Sequence, residues 1–556
     1  MNLIGNINAI PFRRFRGGGG VAPFPSIPGM IARYSALGLT NEQMATNPVW
    51  VNKTGNGHDL QLKNFAWGGM SGVGGYEMNF NLWTNNVPSI PDISMSTTTT
   101  SVSVSVGNST YNNNLIYIHM NNWDINKNHW LKVTSTYEDG DLVFKFYNDN
   151  NSKNIELPAN GYVNIPAYPE FKGNYMYIST TSNKQGSFTI EQLPLYPGAL
   201  VFDGVDDCGV CENFPILTKE KGYTVVALRQ WDQDFLNTTL TGGLLSTRNY
   251  STGEGVAFEK IESSNKGYWN LGAGGIIDFA KSPFTWQTSK QYNNVGILKG
   301  GKNHGKPLCV GCGLSGGQQC GRFAIWELVF LDHDATEEEL TKIKDYFVKT
   351  YPWLFPDQAW TVVGKTNEDE DRATIANITG NGNDLVLSNF GFAEGSGYNE
   401  EGEYAGYLVT DGVDDKIISS IFKMGNDWTV IGDWELINTG KNDNAGIVKF
   451  DSIVIYNYNY NYNSMLINIK NGRNILIPDQ NTVNAICSDG RIYSKDWKES
   501  IYNEETESTS KNFLTIGYSG NTYTKIAFKN LAIYPTVLSR EDCIKAYNYL
   551  QTLKAK

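Results

Sequence analysis

The chain contains one stretch that decides its architecture, TGNGHDL at residues 54–60, because it returns as TGNGNDL at residues 379–385. In both places Asn-Phe follows four residues later, at residues 64–65 and 389–390. Gly and Asn in such a run are typical of tight turns, because both residues tolerate positive φ. An internal repeat of this kind indicates a structural unit that occurs twice.

Two further blocks repeat in the same order. The block DGVDD at residues 203–207 returns at residues 411–415. The apolar strand at residues 323–331, followed by a short helix, returns at residues 527–534, again before a helix. Three matched blocks in one order predict a duplicated domain. A composition with 13% aromatic residues and 57 glycines favours strands and turns, so we expect both copies to be β-structures.

The spacing of the blocks places an insertion in the first copy. The first block recurs 325 residues later and the second only 208 residues later, which leaves 117 extra residues in copy one. This segment, near residues 88–197, has strand patterns of its own at residues 101–106, 142–147 and 175–179. We therefore predict a smaller β-sandwich inserted in the first copy.

Each copy is predicted to end in one amphipathic helix. Thr336 and Glu339 form a capping-box pattern before an apolar stripe, and Ser539 and Asp542 open the corresponding helix of the second copy. We expect each helix to seal an edge or an end of its sandwich.

The first thirty residues form an arm rather than a domain. Arg13, Arg14, Phe15 and Arg16 precede a run of glycines and prolines that cannot bury enough apolar surface to fold alone. The arm either docks on a partner or is a loose tail. The predicted domains are an arm at 1–33, a first sandwich at 34–90 plus 198–355, an inserted sandwich at 91–197 and a second sandwich at 356–556.

Charge and composition exclude several classes of function. A net charge of −12 and a pI of about 5.1 argue against a phosphate-binding surface, so nucleic acid is not an expected partner. Since no apolar run reaches the ~18–20 residues of a membrane helix, membrane insertion is not expected either. An odd count of seven cysteines and the absence of a signal-peptide pattern favour synthesis in a reducing cytoplasm.

The repeated blocks resemble a known superfamily. FDGVDD at residues 202–207, the strand AIWELVF at residues 324–330 and the following helix resemble concanavalin A-like lectin/glucanase domains of the laminin-G type. TGNGHDL, the NFAW run at residues 64–67 and the arm are similar to fibre and decoration proteins of tailed phages, particularly crAss-like phages. The resemblance implies an all-β fold of tandem jelly-roll sandwiches, with a further β-sandwich inserted in the first and an extended N-terminal arm.

The same resemblance implies a function. We expect a bacteriophage virion structural protein, a head fibre or capsid decoration, made in the host cytoplasm and docked on other virion proteins through its arm. The sandwiches would present binding sites for host-surface or mucosal glycans, with affinity gained by multivalency in a homo-oligomer. The alternatives are a tail fibre, a purely structural spacer, a secreted bacterial glycan-binding protein and a polysaccharide-degrading enzyme.

Glycan-binding sandwiches use aromatic faces beside hydrogen-bonding side chains. Trp123, Trp130, Trp231, Asp232 and Trp269 have suitable chemistry, although each is also a candidate core residue.

An alternating run places Tyr456, Tyr458, Tyr460 and Tyr462 on one face of a predicted strand. This stripe is interpreted as a subunit interface, a glycan platform or an ordinary half-buried strand.

Two groups of side chains could bind metals. Cys208, Cys211, Cys309 and Cys312 form two CxxC pairs that could close a zinc site, a disulfide or simply buried thiols. Asp206, Asp207, Asp414 and Asp415 could contribute to calcium sites or serve as structural turns, and no other cofactor is expected.

No catalytic motif is visible. Glycosidases need a pair of carboxylates across the bond they cleave, and the nearest acidic run, residues 368–371, lacks strand alternation. We therefore predict that the chain is not an enzyme.

Overall fold

The structure is a computed structural model that describes part of the chain. It covers residues 23–555 with gaps at 79, 86–92, 108–117, 121–122, 124–128, 149–150, 166–167, 169–170, 172–174, 181–184, 218–220, 248–256, 261–265, 270–275, 279–283, 289–306, 315–317, 394, 403, 421–424, 438–445, 451–452, 459–463, 470–472, 478–482, 495–496, 502–513 and 520–521. The predicted docking residues Arg13, Arg14, Phe15 and Arg16 lie outside the described residues.

The first sandwich begins near the start of the described chain. Its first elements are β1 (Met30–Ser35), α1 (Asn41–Thr46), β2 (Val49–Trp50), β3 (Leu60–Lys63) and β4 (Gly72–Val73).

The inserted sandwich interrupts the first. After a 3₁₀ turn at Phe80–Leu82, its strands are β5 (Trp83–Asn85), β6 (Ile93–Thr97), β7 (Ser101–Val106), β8 (Ile118–Met120), β9 (His129–Ser135), β10 (Leu142–Asn148), β11 (Asn151–Leu157), β12 (Asn160–Ile165), β13 (Tyr175–Thr180) and β14 (Gly186–Gln192). They form two sheets of their own, β11-β10-β13-β8-β5 and β12-β9-β14-β7-β6.

The first sandwich then resumes. Its remaining elements are β15 (Leu200–Asp203), β16 (Cys208–Cys211), β17 (Thr224–Trp231), α2 (Gln233–Leu236), β18 (Gly242–Ser246), β19 (Ala257–Lys260), β20 (Lys266–Trp269), β21 (Ile276–Asp278), β22 (Phe284–Thr288), β23 (Leu308–Val310), β24 (Cys312–Leu314), β25 (Gln318–Cys320), β26 (Arg322–Leu331) and α3 (Glu337–Thr350). One sheet runs β22-β17-β26-β15-β4, with β1 also paired to β26, and the other runs β2-β3-β16-β23-β18-β19-β20-β21.

The second sandwich repeats this plan. A 3₁₀ turn at Pro352–Leu354 leads to β27 (Gln358–Thr361), β28 (Thr374–Ile375), β29 (Leu385–Ser388), β30 (Gly397–Asn399), β31 (Tyr407–Val409), β32 (Lys416–Ser419), β33 (Thr429–Leu436), β34 (Gly446–Phe450), β35 (Ile453–Tyr458), β36 (Ser464–Ile469), β37 (Arg473–Ile477), β38 (Val483–Cys487), β39 (Arg491–Ser494), β40 (Glu499–Ile501), β41 (Leu514–Ile516), β42 (Tyr518–Ser519), β43 (Thr522–Tyr523), β44 (Ile526–Tyr534) and α4 (Arg540–Gln551). Its sheets run β30-β31-β44-β33-β38-β39-β40 and β28-β29-β32-β41-β34-β35-β36-β37.

The duplication extends to the irregularities of the sheets. The pairing of β17 with β26 shifts register between Leu228 and Arg229, and the pairing of β33 with β44 shifts between Asp433 and Trp434. Counted from the paired strand ends, these bulges occupy the same place. The described chain is therefore an all-β protein of tandem sandwiches, as the sequence predicted.

Strands β17 and β26 are buried on both faces. Val225 and Ala227 face the core between the sheets of the first sandwich, while Val226 and Leu228 face a second apolar cluster outside it. Because side chains alternate along a strand, burial on both faces requires a further layer against the outer face.

The two terminal helices supply that layer. Leu340, Ile343 and Phe347 of α3 share one apolar cluster with Ile544 and Leu550 of α4. The caps follow the sequence prediction, since the Thr336 and Glu339 capping box is present and the Ser539 side chain accepts from the Asp542 amide. The helices, however, lie in a core shared by both sandwiches rather than sealing separate edges.

The inserted sandwich joins the same core. Trp130 on β9 packs 5.4 Å from the Tyr547 ring of α4 and 6.4 Å from the Trp497 ring, measured between centroids. Arg540 of α4 lies over the Tyr162 ring of β12. Among the described residues, no helix is both long and apolar enough to cross a membrane.

Candidate functional site

Two of the four tryptophans predicted to bind glycans lie inside the protein. Trp231 is fully buried and stacks on Phe235, while Trp123 is 7% exposed in the core of the inserted sandwich. Trp130 fills the contact with α4 described above. The Trp123 and Trp231 rings are committed to packing, so the prediction that they bind glycans is wrong. Trp130 is only partly buried, and glycan binding by Trp130 stays a prediction.

The two remaining glycan-binding candidates are Asp232 and Trp269. Asp232 is the N-cap of α2, where its side chain accepts from the Phe235 amide at 2.8 Å, and it also pairs with Arg322 at 3.5 Å. Its carboxylate is therefore used locally, and glycan binding by Asp232 stays a prediction. Trp269 ends β20, and its side chain lies outside the described part of the structure.

The tyrosine stripe is described only in part. Tyr456 and Tyr458 lie in β35, which pairs with β36, whereas Tyr460 and Tyr462 lie outside the described residues. The described strand thus ends at Tyr458, and the role of the stripe stays a prediction.

The residues that the structure does bring together form a duplicated surface feature. It has two parts in each sandwich: an aspartate turn, defined as residues 203–207 and 411–415, and an aromatic loop, defined as residues 64–71 and 389–396. In the first sandwich the aspartate turn carries the chain from β15 in one sheet to β16 in the other, and the aromatic loop follows β3.

The aspartate turn is built by its own carboxylates. Asp203 accepts from the Val205 amide at 2.7 Å, and Asp207 accepts from the Asp203 amide at 2.9 Å. Asp411 and Asp415 make the same two bonds in the second sandwich, at 2.7 Å and 2.8 Å. The turn leaves a valine exposed to solvent in both copies: Val205 is 73% exposed and Val413 is 66% exposed.

The aromatic loop is tied to the aspartate turn. Ser71 accepts from the Ala66 amide at 2.8 Å and donates to Asp207 at 2.9 Å. Asn64 donates its side-chain amide to the Asp206 carbonyl at 3.0 Å, a bond that Asn389 repeats to Asp414 at the same distance. The two parts therefore form one surface at the end of each sandwich.

An aromatic residue with positive φ is common to both loops. Trp67 has a φ of 53° and Phe392 a φ of 49°. Such a conformation is an outlier for a bulky side chain and costs roughly 1–2 kcal/mol. Both rings are half-buried, with Trp67 stacked on Phe65 at 4.8 Å and the Arg372 guanidinium 5.0 Å from the Phe392 centroid.

The environment of the buried aspartate differs between the copies. Burial raises the pKa of Asp207 to about 8, opposed by the hydrogen bonds from the Asp203 amide and Ser71. Burial also raises the pKa of Asp415, to about 6, and Ser396 opposes the rise.

The turns also satisfy one condition for a cation. Carboxylate oxygens of Asp203, Asp206 and Asp207 lie within 4.8 Å of one another, as do those of Asp411, Asp414 and Asp415. Ca²⁺ takes 6–8 oxygen ligands, and in each turn two of the three carboxylates already accept backbone amides. The structural turn explains these hydrogen bonds, and calcium stays a prediction for Asp206, Asp207, Asp414 and Asp415.

The predicted zinc set is wrong in one member, Cys211, which lies in a different cluster from the other three cysteines. Cys211 faces the core of the first sandwich and donates to Asn213 at 3.2 Å, and Cys312 is bonded to Cys320. Cys208 and Cys309 instead form a hydrogen-bonded thiol pair on the other face of β16. The CxxC motif did not reveal this, because two residues three positions apart point to opposite faces when they lie on a strand.

The acidic run at residues 368–371 is structural where its contacts are described. Asp369 accepts from the amide and hydroxyl of Thr366 at 2.9 Å and 3.0 Å, and Asp371 pairs with Lys365 at 2.6 Å.

Comparisons with known proteins give no family. No family model and no curated protein matches the chain. Among solved structures, a Trypanosoma rangeli sialidase in complex with sialic acid aligns over 83% of each chain at 8% identity, with a TM-score of 0.27. The botulinum neurotoxin serotype D binding domain aligns over 63% of this chain and 89% of its own at 11% identity, with a TM-score of 0.24.

A third likeness is to domain 4 of AbnA, an extracellular arabinanase from Geobacillus stearothermophilus, in complex with arabinotriose. It covers 34% of this chain and all of that domain at 11% identity, with a TM-score of 0.21. TM-scores of this size carry no conclusion about the ligand or activity of the present chain.

Proposed function

We propose that this protein binds glycans through the aromatic loop and aspartate turn of each sandwich, as paired weak sites. One observation carries the proposal: the same exposed surface, with a positive-φ aromatic residue, is built twice with the same hydrogen bonds. Backbone strain persists only where the surroundings impose it, and it concentrates at ligand-binding sites.

The chemistry of the surface suits a sugar. The half-buried rings of Trp67 and Phe392 can stack on the apolar face of a pyranose, while the exposed carboxylates of Asp206 and Asp414 can accept hydrogen bonds from sugar hydroxyls. Each site offers one half-buried ring and one exposed carboxylate, and so small a set of contacts favours weak single-site binding. Two sites in one chain, multiplied in a homo-oligomer, would raise the overall affinity by multivalency.

The test is a binding series on the full chain. Trp67→Ala and Phe392→Ala should each lower retention on a glycan array, and the double variant should abolish it. Leu240→Ala, which removes a side chain 57% exposed elsewhere on the first sandwich, serves as the control and should bind normally. Unchanged binding by the double variant would remove these loops from the proposal.

We further propose, on the resemblance to phage fibre and decoration proteins, that the chain is a virion component docked by its arm. Mass spectrometry of purified particles should find the chain, and electron cryomicroscopy should locate residues 1–33 against other virion proteins. Detection of the chain only free or on bacterial cells would favour a secreted glycan-binding protein instead.

A structural spacer is the second candidate, and the core shared by both sandwiches favours it. One apolar cluster joins α3, α4 and the inserted sandwich. Such a cluster would hold the domains in a fixed arrangement, as a stiff spacer requires. Presence in particles without glycan binding would support this role. The proposed binding role involves no catalysis, so incubation with polysaccharides should release no reducing sugar.

A further inference from the structure

Four cysteines of the first sandwich meet in one buried cluster. Cys208, Cys309, Cys312 and Cys320 are all at most 5% exposed and form, with Val210, an apolar group separate from the main core. The four cysteines lie on four different strands, β16, β23, β24 and β25. They come close together because β16 pairs with β23 and β24 pairs with β25. The cluster depends on tertiary structure, since up to 112 residues separate its members.

The contacts within the cluster link its members. The Cys208 and Cys309 thiols are hydrogen-bonded to each other, and the Cys312 amide donates to the Cys309 sulfur. The Cys312 sulfur lies 3.3 Å from the carbonyl of Asp207, the residue before Cys208, and is bonded to Cys320.

Gly311 makes the turn between Cys309 and Cys312. Its φ is 96°, and a Cβ there would lie 2.5 Å from the Phe202 ring and 2.6 Å from the Asp207 carbonyl. Gly517, with a φ of 75°, occupies the same place in the second sandwich. The turn therefore belongs to the common fold, whereas the cysteines around it do not.

The second sandwich replaces all four cysteines. Strand register equates Cys208 with Lys416 and Cys309 with Thr515. The cross-strand pair of Cys312 and Cys320 corresponds to the pair of Tyr518 and Tyr523. All four positions are cysteine in the first sandwich, and none of them is cysteine in the second. We therefore treat the four cysteines as one set.

We infer that Cys208, Cys309, Cys312 and Cys320 form a zinc-binding site in the reduced chain. Four thiolates are a structural zinc ligand set, and Cys309 and Cys312 have the CxxC spacing that such sites use. Two molecules of a small thiol reduce the Cys312–Cys320 bond by supplying together two electrons and two protons, and they are themselves joined as a disulfide. Zn²⁺ then displaces four thiol protons and is held as a tetrathiolate of net charge −2.

The surroundings offset part of that charge. The positive charge of the Lys63 ammonium attracts negative charge on the sulfurs of both Cys208 and Cys309. The Cys312 amide points at the Cys309 sulfur. Lys63 lies opposite Cys208 in the pairing of β3 with β16. Such donors and cations around the ligands are what a buried tetrathiolate requires.

The experiment measures metal directly on the full chain. The chain is reduced with a phosphine without oxygen, loaded with Zn²⁺ or Co²⁺ in separate samples, and freed of excess metal by gel filtration. We expect one Zn²⁺ per chain by elemental analysis, and a Co²⁺ spectrum with thiolate charge-transfer and tetrahedral d–d bands. The oxidised chain should bind no metal.

Matched variants separate the site from a general effect of lost thiols. Cys208→Ser and Cys320→Ser should each lose the bound metal and the thiolate spectrum, whereas Cys211→Ser, on the opposite face of β16, should retain both. Use of two ligand variants guards against one that does not fold. Absence of metal from the reduced native chain, or equal loss in Cys211→Ser, would overturn the inference.

Discussion

The two sandwiches share their turns and differ in their interiors. Both keep the aspartate turn, the positive-φ aromatic residue and the bulge in the strand that pairs with β26 or β44. On the outer face of the first sandwich, against α3, Arg33 forms an ion pair with the fully buried Glu327, with nitrogen–oxygen distances of 2.9 Å and 3.0 Å. Register places Ala359 and Asn530 at the corresponding positions of the second.

This difference shows what duplication tolerates. Turns that depend on particular backbone angles or carboxylates leave few substitutes, so they remain alike in the two copies. Interior positions tolerate several solutions, provided that a buried polar group keeps a partner. Glu327 is held by Arg33 and by the Tyr351 hydroxyl at 2.8 Å, while Asn530 donates to the Leu550 carbonyl.

The largest effect is expected from breaking the ion pair. Arg33→Ala leaves the fully buried Glu327 without its cation, and we expect the free energy of unfolding of the first sandwich to fall by about 3–5 kcal/mol. Urea denaturation followed by tryptophan fluorescence measures the loss, and hydrogen exchange of β1 and β26 localises it.

Two controls sharpen this prediction. Arg33→Ala combined with Glu327→Asn copies the second sandwich and should lose less, because no buried charge remains. Lys132→Ala breaks an ion pair whose partners are 44% and 43% exposed and should cost at most about 1 kcal/mol. Equal losses in all three variants would refute the role given to burial.

A smaller, pH-dependent effect should distinguish the aspartate turns. A carboxyl whose pKa is raised by folding stabilises the fold below its ordinary value of 3.8, and that stability is lost as pH rises through the folded value. The loss should extend to about pH 8 for Asp207 and to about pH 6 for Asp415. Between pH 6 and 8, hydrogen exchange should therefore accelerate at residues 203–207 more than at residues 411–415.

Asparagine substitution provides the control for this pH dependence. Asp207→Asn should flatten the pH dependence of the first turn without altering the second, because an amide does not titrate. Persistence of the pH dependence in Asp207→Asn would assign it to another group.

The smallest effect is expected at the helix caps. Thr336→Ala and Ser539→Ala each remove a side-chain acceptor from a helix N-terminus, at a cost of about 1 kcal/mol. The loss should be greater for Thr336, because the Glu339 carboxylate also accepts from the Thr336 backbone amide and completes the reciprocal pair of the capping box. Thermal unfolding of both variants, with Thr336→Ser as the conservative control, compares the two caps.

The candidate site could be predicted from the sequence only in part. The repeated DGVDD and Asn-Phe blocks marked the right segments, but the tryptophans chosen for glycan binding included Trp231, which is fully buried. Residue type says that a ring is large and apolar, and only strand pairing decides whether a second layer covers it. The repeat of Asn-Phe before Trp67 and Phe392 was the available signal for the aromatic loop.

The sequence by itself determined the duplication, the all-β class, the turns and the helix caps, because each of these depends on residues that are close together in the chain. The tertiary structure alone decided that α3 and α4 lie in a shared core and that Trp130 contacts α4. It also decided that Cys320 rather than Cys211 joins the other cysteines. These outcomes depend on which face of a strand meets which distant segment, and strand register sets that choice.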